Sequence, residues 1–412
     1  MVDVDMFRRG AQARAAVLTE RLRRLVTCES PPGAGPELAA CADLLQAWGD
    51  AALGRRGRRV VLDGLPHLLW AAPEQRVLLL GHYDTVWPAG TISEWPFTLT
   101  GSTATGPGVC DMKAGIVQMF TALELLPDTS RVGLLLTCDE ESGSVTSRPL
   151  IEEQARRSGA VLVGEPSTEG GDLKVARKGG SVYRITVGGR AAHAGVEPHR
   201  GVNAGVELAH HVLAVQAFAA GETSVTPTVL SAGTMTNVVP ESAVLCVDVR
   251  AWTREELHRV DRLVRALTPR LPDARLTVSG GINRYPLPAS VSTPLLRIAQ
   301  SVAADLGLPA VRGVAAPGAS DANFTGALGV PTLDGLGGVG GLPHARGEYV
   351  DVARMPERTA LLAALTARIL AAPPTGPAVS PDPEPGAGAG AAIGGPRPLD
   401  AVPAGQGSST DG

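Results

Sequence analysis

Cysteine is sparse in this chain, and its spacing builds nothing. Five are scattered at Cys28, Cys41, Cys110, Cys138 and Cys246, without a CxxC pair. An odd, scattered set argues against a disulfide framework and a thiolate zinc site, and it fits a reducing compartment. Long apolar runs are missing as well, for no stretch approaches the length of a membrane span. Met1 to Gly10 carries charges and no apolar core, so a cytoplasmic chain without a secretory signal is expected. Excess positive charge is also absent. The net charge of -4 comes with no basic patch of the kind nucleic acid requires. A phosphate loop is lacking too, because the glycine-rich stretch 335–341 does not precede a helix with a lysine.

What the chain does have is length and a repeated device. Its 412 residues suffice for two domains. Val77 to Leu80 is an unbroken apolar run, as in a strand buried on both faces of a sheet. The run ends at Gly81, and His82 and Asp84 follow. Polar residues at the carboxyl end of a buried strand stand where open α/β sheets hold their ligands. Residues two apart share one side of a strand, so Asp84 can hold the His82 imidazole from behind. Taken singly, the stretch reads equally well as a strand end with two solvated polar residues.

Four more such stretches follow. Asp111 lies in the Gly/Pro-rich turn 106–115, just before a helix. Val132 to Thr137 runs into Asp139-Glu140-Glu141, and Ala160 to Val163 runs into Gly164-Glu165. Far downstream a glycine-rich loop carries Pro343-His344. The acidic run at 139–141 would alone pass for a solvated turn. Together, two histidines and three carboxylates at separate strand ends form a hard-ligand set for a pair of divalent metals.

Strands alternating with helices through the first part imply a mainly parallel sheet with helices on both faces. The pattern changes near Ala176. From Ser181 onward the order β-α-β-β-α-β matches the split βαβ, ferredoxin-like arrangement. The expected organisation is a catalytic domain at 1–176 and 291–372 and an inserted domain at 177–290. A Pro/Gly/Ala-rich tail at 373–412 has too little apolar surface to fold and is expected to be disordered.

The stretches GHYDTV, GPGVCDMKAG, DEESGS, AAHAG and HARGEYVD, in this order, resemble the motif set of the di-zinc metallopeptidases. That family includes glutamate carboxypeptidase of the carboxypeptidase G type, aminoacylase, acetylornithine deacetylase and succinyl-diaminopimelate desuccinylase. The resemblance covers roughly residues 8 to 370, and the carboxypeptidase G type is the most similar branch. It implies one metal on His82 and Glu165, a second on Glu141 and His344, and Asp111 bridging both. Zinc is the expected ion, with cobalt or manganese as alternatives. Two divalent ions against three carboxylates and a bridging hydroxide make a neutral cluster, which avoids a large desolvation cost. The resemblance makes Glu140 the general base, with Asp84 orienting His82. It also implies a cis peptide between Asp111 and Met112, where the carboxypeptidase G type has another acid in place of the methionine.

In the inserted domain, His193 resembles the family histidine that reaches a neighbouring subunit's site and stabilises an oxyanion. Asn237 matches another oxyanion or substrate contact, and Arg250 matches an arginine that grips the substrate's carboxylate. Arg284 is a second candidate for a carboxylate contact, and Gly318 and Ala319 are candidates to offer backbone N–H groups to the same end. The implied activity is metal-dependent hydrolysis of the amide next to a free α-carboxylate, in a small peptide or an N-acyl amino acid, by a homodimer built through 177–290. The alternatives are a biosynthetic N-acyl amino acid deacylase on the same scaffold and a non-catalytic binding relative.

Overall fold

The computed structural model describes residues 4–33 and 35–373, so the expected disorder of the tail from residue 374 lies outside the described residues. A six-stranded sheet carries the strand-end motifs. In spatial order its strands are Arg58–Leu62, Leu65–Trp70, Val132–Thr137, Val77–His82, Ala160–Val163 and Thr332–Leu333. The pairings from Val132–Thr137 onward are parallel, and the two at the near edge are antiparallel. All six residues of Val77–His82 are buried, as are all six of Val132–Thr137.

The two faces of this sheet feed two separate cores, as the alternation of a strand requires. Val77 and Leu79 pack with Leu45, Ala299 and Leu362. Leu78 and Leu80 pack on the other side with Leu150, Ile151 and Phe324. Helices therefore cover both faces, and a strand buried this way has no need of polar alternation. Among the described residues no helix is long and apolar enough to cross a membrane.

A second sheet is wholly antiparallel. Its order is Ser224–Ala232, Ser242–Ala251, Gly179–Gly188, Arg275–Arg284. Along Gly179–Gly188 the residues Tyr183, Ile185 and Val187 are buried and join a third core with Leu208, Leu257 and Val260 from two helices. The helix Arg254–Arg265 begins as its sequence suggests, with the Thr253 hydroxyl accepting from the Glu256 amide at 3.2 Å.

Some elements differ from the sequence reading. Residues 8–27 read in sequence as one amphipathic helix, but the structure has two, Val4–Ala13 and Ala15–Thr27, parted at Arg14. Residues 294–306 read as a helix opening at Pro294, but it opens at Ala289, with Pro294 inside it. Leu173–Arg177 and Gly313–Ala316 form a two-stranded parallel sheet that the sequence did not announce. Their apolar residues are too few and too mixed with Lys174, Arg177 and Arg312 to stand out.

The glycines of 335–341 have a packing role. A Cβ at Gly337 would lie 2.2 Å from the Gly164 carbonyl oxygen, and one at Gly115 would lie 1.9 Å from the same atom. Three segments thus meet backbone to backbone beside Glu165. Buried Arg358 secures the loop by donating to the carbonyls of Gly335 at 2.8 Å, Gly171 at 2.9 Å and Gly337 at 3.3 Å. Burial pulls its guanidinium down to about 10.

The Gly115 contact is with backbone, which cannot swing aside. Gly115→Ala should therefore destabilise the protein by about 1–3 kcal/mol despite the better helix propensity of alanine. The check is a urea unfolding midpoint shifted downward at unchanged slope.

Candidate metal centre

Each expected metal ligand leaves a different element, and the ends of those elements converge. His82 is the last residue of Val77–His82. Asp111 sits in the irregular turn Val109–Lys113 ahead of the helix Ala114–Leu125. Glu141 follows Val132–Thr137, Glu165 follows Ala160–Val163, and His344 lies in the loop before Tyr349–Asp351. The peptide between Asp111 and Met112 is cis.

Two ligand groups form, and they share one residue. Single ligand atoms of His82, Asp111 and Glu165 lie within 4.8 Å of one another, and so do those of Asp111, Glu141 and His344. His82 Nε2 lies 3.3 Å from Asp111 Oδ1 and 3.4 Å from Glu165 Oε1. His344 Nε2 lies 3.1 Å from Glu141 Oε1 and 3.5 Å from Asp111 Oδ2. One oxygen of Asp111 thus faces each group. The His344 side chain is 51% exposed while that of His82 is 2% exposed, so the cluster opens to solvent on the His344 side.

The electrostatics fit a pair of cations. Asp111 Oδ1 is buried and accepts no hydrogen bond among the described residues. A buried carboxylate oxygen without a donor is costly, and a cation is a partner that would satisfy it. Burial pushes Glu141 up to about 7, against the hydrogen bond from His344. Hydrogen bonds donated to Asp111 and then to Glu141 raise His344 to about 10. Burial works against charge on His82, yet Asp111, Asp84 and Glu165 together lift it well above its ordinary value. The carboxylates draw protons onto the imidazoles, and divalent ions would supply that positive charge instead. Two nitrogens and three carboxylates, without thiolate, suit zinc and also harder divalent ions.

Surrounding side chains hold these ligands in place. Asp84 lies 3.3 Å from His82 Nδ1, and its two oxygens accept the amides of Glu140 at 3.3 Å and Glu141 at 3.0 Å. Glu348, inside a quoted motif but given no role there, accepts the amides of Gly108, Cys110 and Asp111 at 3.0, 2.8 and 2.9 Å. Burial raises its carboxyl above the ordinary value, against those three bonds. Buried Arg177 donates to Asp334 at 2.5 Å and to Glu165 at 3.4 Å. Nothing in the sequence marked Arg177, which sits at the expected domain boundary. For Glu348 the only signal was its place four residues after His344.

The remaining candidates stand apart from the ligands. Glu140 lies beside them but in neither group, and its carboxylate pairs with Arg284. Arg284, expected as a carboxylate contact, already has partners. It is 5% exposed and engaged by Glu140, Ser144 and Asp321. Gly318 offers its carbonyl to Arg177 Nη1 at 2.9 Å, where its N–H was the expected group. Arg250 forms a two-pronged pair with Asp248 at 2.9 and 2.8 Å and is 38% exposed. His193 and Asn237 are exposed and adjacent, their segments joined by the bond from the Ala194 amide to the Asn237 carbonyl at 2.9 Å. His193 Nδ1 accepts from the amides of Gly195 and Val196 at 3.2 and 3.1 Å, which leaves Nε2 to face outward. His67 is buried on its strand and meets Thr146 Oγ1 at 2.9 Å.

The model of peptidase family M20/M25/M40 matches residues 78–368. Carboxypeptidase G2 of Pseudomonas sp. (strain RS-16) is 30% identical over 385 residues, covering 88% of this chain and 91% of that protein. A succinyl-diaminopimelate desuccinylase of Granulibacter bethesdensis is 30% identical over 331 residues, 73% of this chain and 82% of that one. Among solved structures, an M20 family metallo-carboxypeptidase from Sulfolobus solfataricus has the same fold, with a TM-score of 0.69 at 15% identity over 86% of this chain and 99% of that one. The family match takes in all five residues of the two groups, from His82 to His344, and this chain therefore belongs to the peptidase family M20/M25/M40, whose members are metal-dependent hydrolases.

Proposed function

We propose that this enzyme hydrolyses the amide next to a free α-carboxylate in a small peptide or N-acyl amino acid, using two zinc ions. Asp111, with one oxygen toward each ligand group, is the observation that carries this reading. His82 and Glu165 would hold one ion, Glu141 and His344 the other, and Asp111 both. When bound, such a pair lowers the pKa of a water to about 7 and acts as a Lewis acid toward the substrate carbonyl.

The chain's own groups do the rest. Glu140 is the general base: it takes a proton from the attacking water and passes it to the leaving nitrogen. Its neighbour Glu141 is committed as a ligand, and Asp84 ties the backbone of both to the His82 ring. Arg250 grips the substrate carboxylate from its Nη1 side, since Asp248 already engages its Nε and Nη2. His193 and Asn237 contact the substrate or the developing oxyanion.

His193 acts on the site of a second copy in this reading, and residues 177–290 form an inserted domain that makes the dimer. Support comes from the edge strand Ser224–Ala232, whose Leu230 is 54% exposed, beside the helix Ala204–Gln216, whose Leu213 is 69% exposed. An unpaired edge next to exposed leucines suits two-fold pairing. The similarity to a desuccinylase favours a second reading on the same scaffold, an N-acyl deacylase. A hydrolysis screen across C-terminal peptides and N-acyl or N-succinyl amino acids separates the two. The cytoplasm is the proposed location, from the scattered free cysteines.

Removal of metal by chelation should abolish turnover, and titration with zinc should restore it at two equivalents per chain. Glu140→Gln should bind the same two equivalents and lose about 100- to 10,000-fold in kcat. A near-normal rate would remove Glu140 as the base.

Mixing the two inactive variants His193→Ala and Glu140→Gln tests sharing between subunits. Mixed dimers should regain one intact site and part of the activity. No recovery after verified subunit exchange rejects action in trans.

A further inference from the structure

A buried polar chain runs from Glu140 away from the metal ligands. Arg284, the last residue of the strand Arg275–Arg284, pairs through Nη1 with Glu140 Oε1. Its Nη2 donates to the Glu140 carbonyl at 3.2 Å and to Ser144 Oγ at 2.7 Å. The Ser144 hydroxyl in turn donates to Asp321 Oδ1, which lies 3.5 Å from Arg284 Nη2. Asp321 Oδ2 accepts from Thr137 Oγ1 at 3.3 Å, at the end of a fully buried strand. The Phe324 ring lies 4.9 Å from the guanidinium carbon. Arg284 is 5% exposed, Asp321 3% and Ser144 0%.

The geometry of this chain restricts Arg284 from several sides. A guanidinium is planar, so one edge held by Ser144 and Asp321 fixes where the other edge meets Glu140. The aromatic ring limits its tilt. Ser144 adopts φ 54, in the left-handed region that a residue with a side chain enters at a cost. That backbone turns its hydroxyl into the space between Arg284 and Asp321. Neither Asp321 nor Ser144 belongs to the ligand groups.

We propose that Asp321, acting through Ser144 and Arg284, is the positioning residue for the Glu140 carboxylate. The inference rests on the reading of Glu140 as general base. Catalysis depends steeply on such placement, and a misplacement of about 1 Å can cost on the order of 100-fold. Asp321 makes no contact with substrate in this account. Its effect reaches the reaction only by way of Glu140.

The test is a cycle of Asp321→Asn and Glu140→Gln in the zinc-loaded enzyme, with Ser144→Ala as a second probe should Asp321→Asn fold poorly. Each single variant is checked for two bound zinc equivalents and for an unchanged unfolding midpoint. Asp321→Asn should lower kcat by about 10- to 100-fold with KM unchanged. In the Glu140→Gln background it should cost nothing further, because the group it positions is already disabled. A full kcat in Asp321→Asn or Ser144→Ala overturns the proposal. So does a loss of the same size in both backgrounds, which is the signature of a structural role. If Glu140→Gln itself turns over normally, the base assignment falls, and that result is distinct from either failure.

Discussion

Like charges crowd the strand ends of this molecule, and the surrounding chain is arranged to tolerate them. Asp84, Asp111, Glu141 and Glu165 all lie within about 3.5 Å of an imidazole nitrogen, with Glu140 next in line. Carboxylates that close repel one another and lose hydration. The answer comes in layers. Backbone amides at 108, 110 and 111 turn toward Glu348, and those at 140 and 141 turn toward Asp84. Two buried arginines, Arg177 and Arg284, stand behind Glu165 and Glu140.

Those arginines come from the junctions between the two sheets. Arg177 ends Leu173–Arg177 just before the second sheet begins at Gly179, and Arg284 is the last residue of that sheet's edge strand. The residues that balance the charge of the strand ends are therefore supplied where the chain enters and leaves the antiparallel sheet. That sheet's two connections carry part of the electrostatics of the ligand cluster.

Much of this was legible in the sequence for identifiable reasons. Val77 to Leu80, Val132 to Thr137 and Ala160 to Val163 stand out because strands covered on both faces need apolar residues at every position. His82, Glu141 and Glu165 stand out because each comes soon after such a run, and Asp111 and His344 because each lies in a Gly/Pro-rich turn or loop. The partners of those residues were not legible. Glu348 reaches back about 240 positions to the turn at Asp111, and no local pattern encodes that distance. Arg284 carries the same donor groups whether it meets a substrate or Glu140, so only the fold distinguishes the two. Leu173–Arg177 escaped notice because a strand built half of polar residues looks like a loop until its partner at Gly313–Ala316 is known.

The meeting of Gly115, Gly164 and Gly337 has an implication for altering this enzyme. Beside a ligand carboxylate, three distant stretches touch without any side chain between them. A side chain at Gly115 or Gly337 would meet backbone, which has no rotamer to change, whereas one at Gly164 would meet the ends of Met112 and Met119. Random or recombined libraries that touch Gly115 or Gly337 should be depleted of folded clones, whatever substrate is selected for. Variation aimed at new specificity belongs on the open side of the cluster, around His344, where the wall is side chain and solvent.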